Sequence, residues 1–184
     1  MKQALVVEDI ASMRSWLCDA IKQVYPGIQV DTVANVADAI SFIKRTEVDL
    51  ALVDLGLPDA SGVEFIRALS QRYPAAISVV VTIFDDNAHL FPALTAGAQG
   101  YLLKDQDQEQ FVRRLHGISQ GEPPLSPAIA RKVLSHFAAQ VPAEDPGLTA
   151  REKDVLTLIA KGVALPKVAE LLEITRNTAA GYVK

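Results

Sequence analysis

Short runs of almost entirely apolar residues recur through the N-terminal part of the chain, and segments with helical spacing of apolar positions separate them. Such runs predict strands buried on both faces, because a half-exposed strand alternates apolar with polar residues. Strands that alternate with helices indicate a parallel sheet covered by helices on both faces. The predicted strands are Ala4–Glu8, Gln29–Val33, Leu50–Val53, Ser78–Thr82 and Tyr101–Leu103, and the predicted helices are Met13–Val24, Val36–Arg45, Val63–Arg72, Ala88–Ala96 and Gln108–Ser119.

Polar residues with related chemistry follow the predicted strands. Five strand–helix units within about 120 residues fit an α/β fold of the flavodoxin-like type, with a doubly wound five-stranded parallel sheet. Ligands of such sheets bind beyond the carboxyl ends of the strands. Those ends carry three carboxylates, a hydroxyl and an ammonium, which predict a functional site: Glu8, Asp9, Asp54, Thr82 and Lys104.

Two breaks divide the rest of the chain. Gly121-Glu-Pro-Pro124 ends the last helix of the α/β region, and Val141–Gly147 has the composition of a linker. Pro127–Ala139, between the two breaks, has helical spacing. After the second break, Thr149 and Glu152 have the spacing of a capping box, which predicts the start of another helix. We therefore expect an α/β domain over residues 1–120, a linker with a helix over 121–147 and a small all-α domain over 148–184.

Composition limits the class of protein and its compartment. No apolar stretch approaches the roughly 20 residues of a membrane span. The sequence enters a strand directly after Met1-Lys2-Gln3, which leaves no room for a secretory signal. The single cysteine, Cys18, allows no internal disulfide and fits a reducing compartment. These features predict a soluble cytoplasmic protein without a membrane partner.

In their order and positions at strand ends, the polar residues resemble the receiver domain of bacterial two-component response regulators. The resemblance covers about the first 120 residues and implies a phosphoryl donor, either a sensor histidine kinase or a phosphotransfer protein. It also implies Mg²⁺ as cofactor and a phosphorylation-dependent homodimer. It assigns Asp54 as the phosphoacceptor, Glu8, Asp9 and Asp54 as metal ligands, and Thr82, Lys104 and Tyr101 as the phosphoryl-stabilising and switch residues.

The implied reaction suits these residue types. Three carboxylates in one pocket raise one another's pKa, and Mg²⁺ removes that penalty while keeping several of its waters. The carboxylate of Asp54 acts as the nucleophile, and Lys104 offsets charge on the transferring group. Thr82 then bonds a phosphoryl oxygen, which draws its loop inward and lets Tyr101 rotate into the vacated space. Such a protein accepts phosphate but is not a turnover enzyme.

One position departs from the receiver pattern, and one rival enzyme class shares part of it. Ile83 stands where receivers usually have Ala, Gly or Ser, so its branched side chain is expected to narrow access to the phosphoryl group. The rival class is a Mg²⁺-dependent phosphatase with an aspartate nucleophile. Haloacid-dehalogenase-like enzymes of that kind need a second Asp two residues after the first, where this chain has Gly56.

The segment from Leu148 to Lys184 resembles, more weakly, the LuxR/NarL-type helix-turn-helix. Thr175 fits the N-cap of its recognition helix. Ala164, Glu173, Ala180 and Gly181 depart from the family's pattern, and the sequence ends inside the recognition helix, so we expect a module incomplete at its C-terminus. The candidate DNA contacts are Arg176, Asn177, Thr178 and Lys184.

Two functions follow from these patterns. The first is a response regulator that accepts a phosphoryl group on Asp54 and controls transcription through the helix-turn-helix. The alternative is a receiver-based signalling protein that acts by protein contact, with a tail that does not bind DNA. Residues 1–120 carry 10 Lys and Arg against 15 Asp and Glu, and residues 121–184 carry 8 against 7. This basic excess is too small to decide between the two functions.

Overall fold

The computed structural model describes residues 1–139, 149–161, 163–172, 174–175 and 178. The chain forms two compact units, Met1–His136 and Phe137–Lys184. The predicted domain limits at residues 120 and 148 stay predictions. In the parts of the chain that the structure describes, no helix combines the length with the apolar composition that crossing a membrane requires.

The first unit is built on a five-stranded parallel sheet of strand order β2-β1-β3-β4-β5. This arrangement confirms the predicted α/β doubly wound fold, and the predicted limits of the elements hold to within a few residues. The strands are β1 (Gln3–Val7), β2 (Gln29–Val33), β3 (Leu50–Val53), β4 (Ile77–Thr82) and β5 (Gly100–Leu103). The helices that follow them are α1 (Ala11–Val24), α2 (Val36–Ile43), α3 (Gly62–Arg72), α4 (Asn87–Thr95) and α5 (Gln108–Ile118).

The sheet separates two apolar clusters, because successive side chains of a strand point to opposite faces. Leu5 and Val7 of β1 belong to the cluster formed with α2, α3 and α4. Ala4 and Val6 of the same strand belong to the cluster formed with α1 and α5. Both faces of the sheet are therefore buried, which explains why β1, β3, β4 and β5 are almost entirely apolar, whereas the edge strand β2 carries Asp31 and Thr32.

Chain after α5 also belongs to the first unit. The Tyr101 amide donates to the Pro124 carbonyl at 2.8 Å, and the Ser126 amide donates to the Tyr101 carbonyl at 3.1 Å. Leu125 thus forms a parallel bridge with β5, the edge strand of the sheet. The helix α6 (Pro127–Ala139) follows and buries Ile129 completely. A helix thus forms at the predicted positions, its residues up to His136 belong to the first unit, and the linker assignment of residues 121–147 stays a prediction.

The second unit contains α7 (Ala150–Ala160) and α8 (Leu165–Leu171). Thr149 and Glu152 form the predicted capping box at the start of α7. Ala164 precedes α8 without a side-chain cap, as its methyl group dictates. The Thr175 hydroxyl accepts a bond from the Thr178 amide at 3.1 Å, which is the bond expected of an N-cap.

We predict that Gly62→Ala lowers the free energy of unfolding by about 2–3 kcal/mol, as overpacking does. A Cβ at Gly62 would lie 2.0 Å from the backbone oxygen of Asp54, so either α3 or the chain after β3 must move. Gly117→Ala is the matched control, because its Cβ would meet only the Glu122 side chain, at 3.0 Å. The control should stay within about 1 kcal/mol of wild type, since Ala favours helix. Equal urea denaturation midpoints for both variants would contradict the prediction.

Candidate functional site

The predicted site residues meet at the carboxyl edge of the sheet because their strands are parallel neighbours. The ladder continues one residue beyond the strands and fixes these positions. The Glu8 amide donates to the Val33 carbonyl at 3.1 Å, and the Asp54 amide donates to the Val7 carbonyl at 2.9 Å. The Lys104 amide donates to the Thr82 carbonyl at 2.9 Å. Strand order places β1 beside β3, so Glu8 and Asp54 become neighbours.

Lys104 connects two buried carboxylates. Its Nζ lies 2.7 Å from Glu8 Oε2 and 2.9 Å from Asp54 Oδ2. The side chains of Lys104 and Asp54 are each 9% exposed, and that of Glu8 is 0% exposed. Burial alone would lower the pKa of Lys104, but its bonds to Asp54 and Glu8 outweigh that effect and raise it. The ammonium is therefore held charged at the centre of the site.

The Lys104 ammonium does not fully compensate for the burial of the negative charge of Glu8. Burial raises the pKa of Glu8, and the Lys104 ammonium offsets only part of that shift, since it also serves Asp54. Glu8 Oε2 has the shared Lys104 ammonium as its partner, and no other hydrogen-bond donor among the described residues reaches it. A buried carboxylate oxygen in this state can accept further positive charge.

Glu8 belongs to an acidic cluster of three residues. One carboxylate oxygen each from Glu8, Asp9 and Asp54 lies within 4.8 Å of the others, and Asp9 is exposed to solvent. Three hard oxygen ligands, one of them open to water, are the donor set that a divalent cation such as Mg²⁺ takes. The residues present therefore fit the cofactor that the sequence implied.

Arg14 holds the acidic loop and was missed by the sequence analysis. Its Nη1 donates to the backbone carbonyls of Glu8 at 2.6 Å and of Asp9 at 2.7 Å. Arg14 lies in the first turn of α1, where the N-cap Ile10 provides no side-chain bond. A basic residue one turn after an acidic pair was the available signal in the sequence.

Thr82 and Tyr101 lie on neighbouring strands, and both are 0% exposed. The Thr82 hydroxyl accepts a bond from the Phe84 amide at 3.4 Å. The Tyr101 hydroxyl donates to the Phe84 carbonyl at 2.8 Å, so the ring is turned inward. Burial raises the pKa of Tyr101, with further contributions from Asp86, Asp85 and Asp54, which keeps the hydroxyl protonated as a donor.

The residues after Thr82 form one wall of the site. Ile83 is 73% exposed, and its expected effect on access stays a prediction. Phe84, which the sequence analysis also missed, lies against Gly56, where a Cβ would be 3.2 Å from its Cε2 atom. On its other side the Phe84 ring stacks on His89, with centroids 4.2 Å apart. A larger residue at position 56 would therefore displace this aromatic wall.

The predicted DNA contacts are only partly within the described residues. Thr178 is described and exposed, next to the cap made by Thr175. Arg176, Asn177 and Lys184 lie outside the described residues.

Comparison with known proteins identifies the class of protein. Residues 4–116 match the family described as the response regulator receiver domain, and the chain belongs to this family. The transcriptional regulatory protein YhcZ of Bacillus subtilis is 39% identical over 159 residues, which cover 84% of this chain and 73% of YhcZ. The nitrate/nitrite response regulator protein NarL of Escherichia coli is 30% identical over 183 residues, which cover 98% of this chain and 85% of NarL.

A solved structure agrees with these relatives. The crystal structure of a LuxR-family two-component response regulator from Aurantimonas has a TM-score of 0.65 at 27% identity, covering 74% of this chain and 97% of that one. The alignment with NarL continues through the second unit, so the chain is a receiver domain followed by a segment of the LuxR/NarL type. These relatives are regulators, which confirms that the chain is a signalling protein and not a turnover enzyme.

We predict that wild type loses stability relative to Glu8→Gln as pH rises from below 4.5, the ordinary pKa of Glu8, through its raised value. Over that interval the folded protein binds the Glu8 proton while the unfolded chain has released it, so rising pH favours unfolding. Above the raised pKa the difference between the two proteins becomes constant. Urea denaturation of both proteins with EDTA, from about pH 4 to about pH 8, measures the difference in their free energies of unfolding. A relative gain for wild type over this range would contradict the prediction.

Proposed function

We propose that Asp54 accepts a phosphoryl group from a phosphohistidine of a sensor histidine kinase or a phosphotransfer protein. The observation that carries this proposal is the pairing of Asp54 with the Lys104 ammonium at 2.9 Å, beside the acidic cluster. A structural aspartate at a strand end needs neither a buried lysine nor two further carboxylates. The arrangement supports one aspartate prepared to carry an additional negative group.

The transfer is a displacement at phosphorus. A bond forms between an oxygen of Asp54 and phosphorus, the phosphorus–nitrogen bond of the phosphohistidine breaks, and the imidazole leaves. Mg²⁺ bound by Glu8, Asp9 and Asp54 would neutralise charge on the phosphoryl oxygens. Lys104 donates a charge-assisted bond to one of those oxygens, and its raised pKa keeps it protonated for this role. Hydrolysis of the acyl phosphate by water restores Asp54.

The switch follows from the loop after β4. The Thr82 hydroxyl can donate a hydrogen bond to a phosphoryl oxygen, because in its present bond with the Phe84 amide the hydroxyl oxygen is the acceptor. The inward position of Tyr101, bonded to the Phe84 carbonyl, is the position expected once that loop has moved toward Asp54. Tyr101 thereby links the chemistry at Asp54 to the surface formed by α4 and β5.

The output that fits the second unit is control of transcription. YhcZ and NarL are named a transcriptional regulatory protein and a response regulator, and the alignment with NarL spans the second unit. The capping box on α7 and the N-cap at Thr175 support a helix-turn-helix at this position. The alternative output, contact with another protein without DNA, is favoured by the uncapped start of α8 at Ala164.

We predict that acetyl phosphate with Mg²⁺ adds one phosphoryl group to wild type and none to Asp54→Asn, because the amide is not a nucleophile at phosphorus. Asp105→Asn is the matched control, since this exposed carboxylate directly follows Lys104 in the sequence. It should label as wild type does. Intact-protein mass spectrometry measures the added phosphoryl group. Labelling of Asp54→Asn to the level of wild type would overturn the assignment of the phosphoacceptor.

We predict weak DNA binding by the 184-residue chain. Phosphate contacts supply much of the affinity of such modules, and Ala180 stands where the family has a DNA-facing lysine. Ala180→Lys should therefore raise the affinity for duplex DNA. The slope of log K against log salt concentration should become steeper by about one, as one added phosphate contact requires. Ala160→Lys, at an exposed position of α7, is the control for added charge alone. Tight, sequence-selective binding by the unchanged chain in a low-salt titration would contradict the prediction.

A further inference from the structure

Residues 122–136 lie beyond the segment that matches the receiver family, yet they are built into the first unit. Both backbone groups of Tyr101 on its outer edge are bonded to this segment, through Pro124 and Ser126. A Cβ at Gly100 would lie 2.3 Å from Pro124 Cγ, so the segment sits closely on β5. Ile129 of α6 is fully buried in the same apolar cluster as Tyr101.

Helix α6 also binds the loop that follows β4. Lys132 Nζ lies 3.1 Å from Asp85 Oδ2, and it also donates to the backbone carbonyl of Asp85. One turn further along α6, the His136 ring lies over Phe91 of α4, with centroids 3.9 Å apart. Lys132 therefore holds both the side chain and the main chain of one loop residue.

Asp85 lies between two residues that connect it to the phosphorylation site and to α4. Phe84, which precedes Asp85, bonds Thr82 through its amide and Tyr101 through its carbonyl. Asp86, which follows, caps α4 and pairs with His89 at 2.8 Å. Because these bonds hold three consecutive residues together, a loop conformation that keeps Tyr101 inward also keeps Asp85 where Lys132 contacts it.

We propose that Lys132 is a positioning residue that couples the docking of α6 to phosphorylation of Asp54. The inference rests on the proposed function. Lys132 contacts Asp85 in the loop conformation in which Tyr101 is inward. The inward position of Tyr101 is also the one expected for the phosphorylated site. Docking of α6 and phosphorylation of Asp54 therefore favour the same loop conformation. Because the two equilibria are linked, phosphorylation then strengthens the docking of α6 by the same factor by which docked α6 favours phosphorylation. The pair is partly exposed, 35% for Lys132 and 58% for Asp85, so the factor should be about two- to fivefold.

Hydrogen exchange on the full chain tests this coupling. Acetyl phosphate with Mg²⁺ should slow amide exchange in residues 127–136 of wild type by about two- to fivefold. Lys132→Met keeps the apolar stem but removes the ammonium, so the same treatment should leave its exchange unchanged. Arg131→Met removes an exposed cation from the neighbouring position of α6 and should respond as wild type does. Urea denaturation of the variants confirms that each is folded.

A charge exchange separates coupling from local structure. Asp85→Lys combined with Lys132→Asp restores an ion pair of opposite polarity and should regain part of the exchange response that either single change loses. Intact mass measured on the same samples separates this proposal from the one it rests on. Labelling of wild type with unchanged exchange in α6 would overturn the coupling alone. Absence of labelling would overturn the phosphoacceptor assignment and the coupling together, and an equal response of Lys132→Met and wild type would overturn the role of Lys132.

Discussion

The site depends on one ammonium shared by two buried carboxylates. Lys104 is 2.7 Å from Glu8 and 2.9 Å from Asp54, and all three side chains are almost fully enclosed. Charges in such surroundings persist only when they are paired, because desolvation otherwise neutralises them. One ammonium faces two carboxylates, and burial raises the pKa of Glu8 in spite of this partner. The acidic cluster of Glu8, Asp9 and Asp54, with Asp9 open to solvent, has the oxygen ligands that a divalent cation takes.

The sheet makes this pairing possible. Glu8, Asp54 and Lys104 follow β1, β3 and β5, and backbone bonds that continue past the strands fix each of them. The close approach of Gly62 to the backbone of Asp54 places α3 directly behind this residue. Arg14 closes the opposite side by holding the backbone carbonyls of the acidic loop. Backbone geometry, and not the flexible side chains alone, therefore sets the position of the Asp54 carboxylate.

The loop after β4 is where the site meets the rest of the molecule. In this loop the backbone of Phe84 bonds the hydroxyls of Thr82 and Tyr101, and its ring stacks on His89. The next residue, Asp85, contacts α6. Packed groups with several shared partners move between discrete arrangements more readily than they deform continuously. A loop with this number of partners is suited to transmit a change at Asp54 to the surface of the unit, and α6 covers part of that surface.

Much of this could be predicted from the sequence, for a physical reason. Parallel strands buried on both faces must be apolar, so their limits are visible as runs such as Leu50–Val53, and the polar residue that follows each run must be at the site edge. Local hydrogen bonding likewise made the cap at Thr149 predictable. Tertiary structure alone decided the contacts between residues distant in sequence: Phe84 against Gly56, Ile129 beside Tyr101, and Lys132 on Asp85. No periodicity encodes such contacts, because they depend on which strand lies at the edge of the sheet and on how the chain after α5 returns to it.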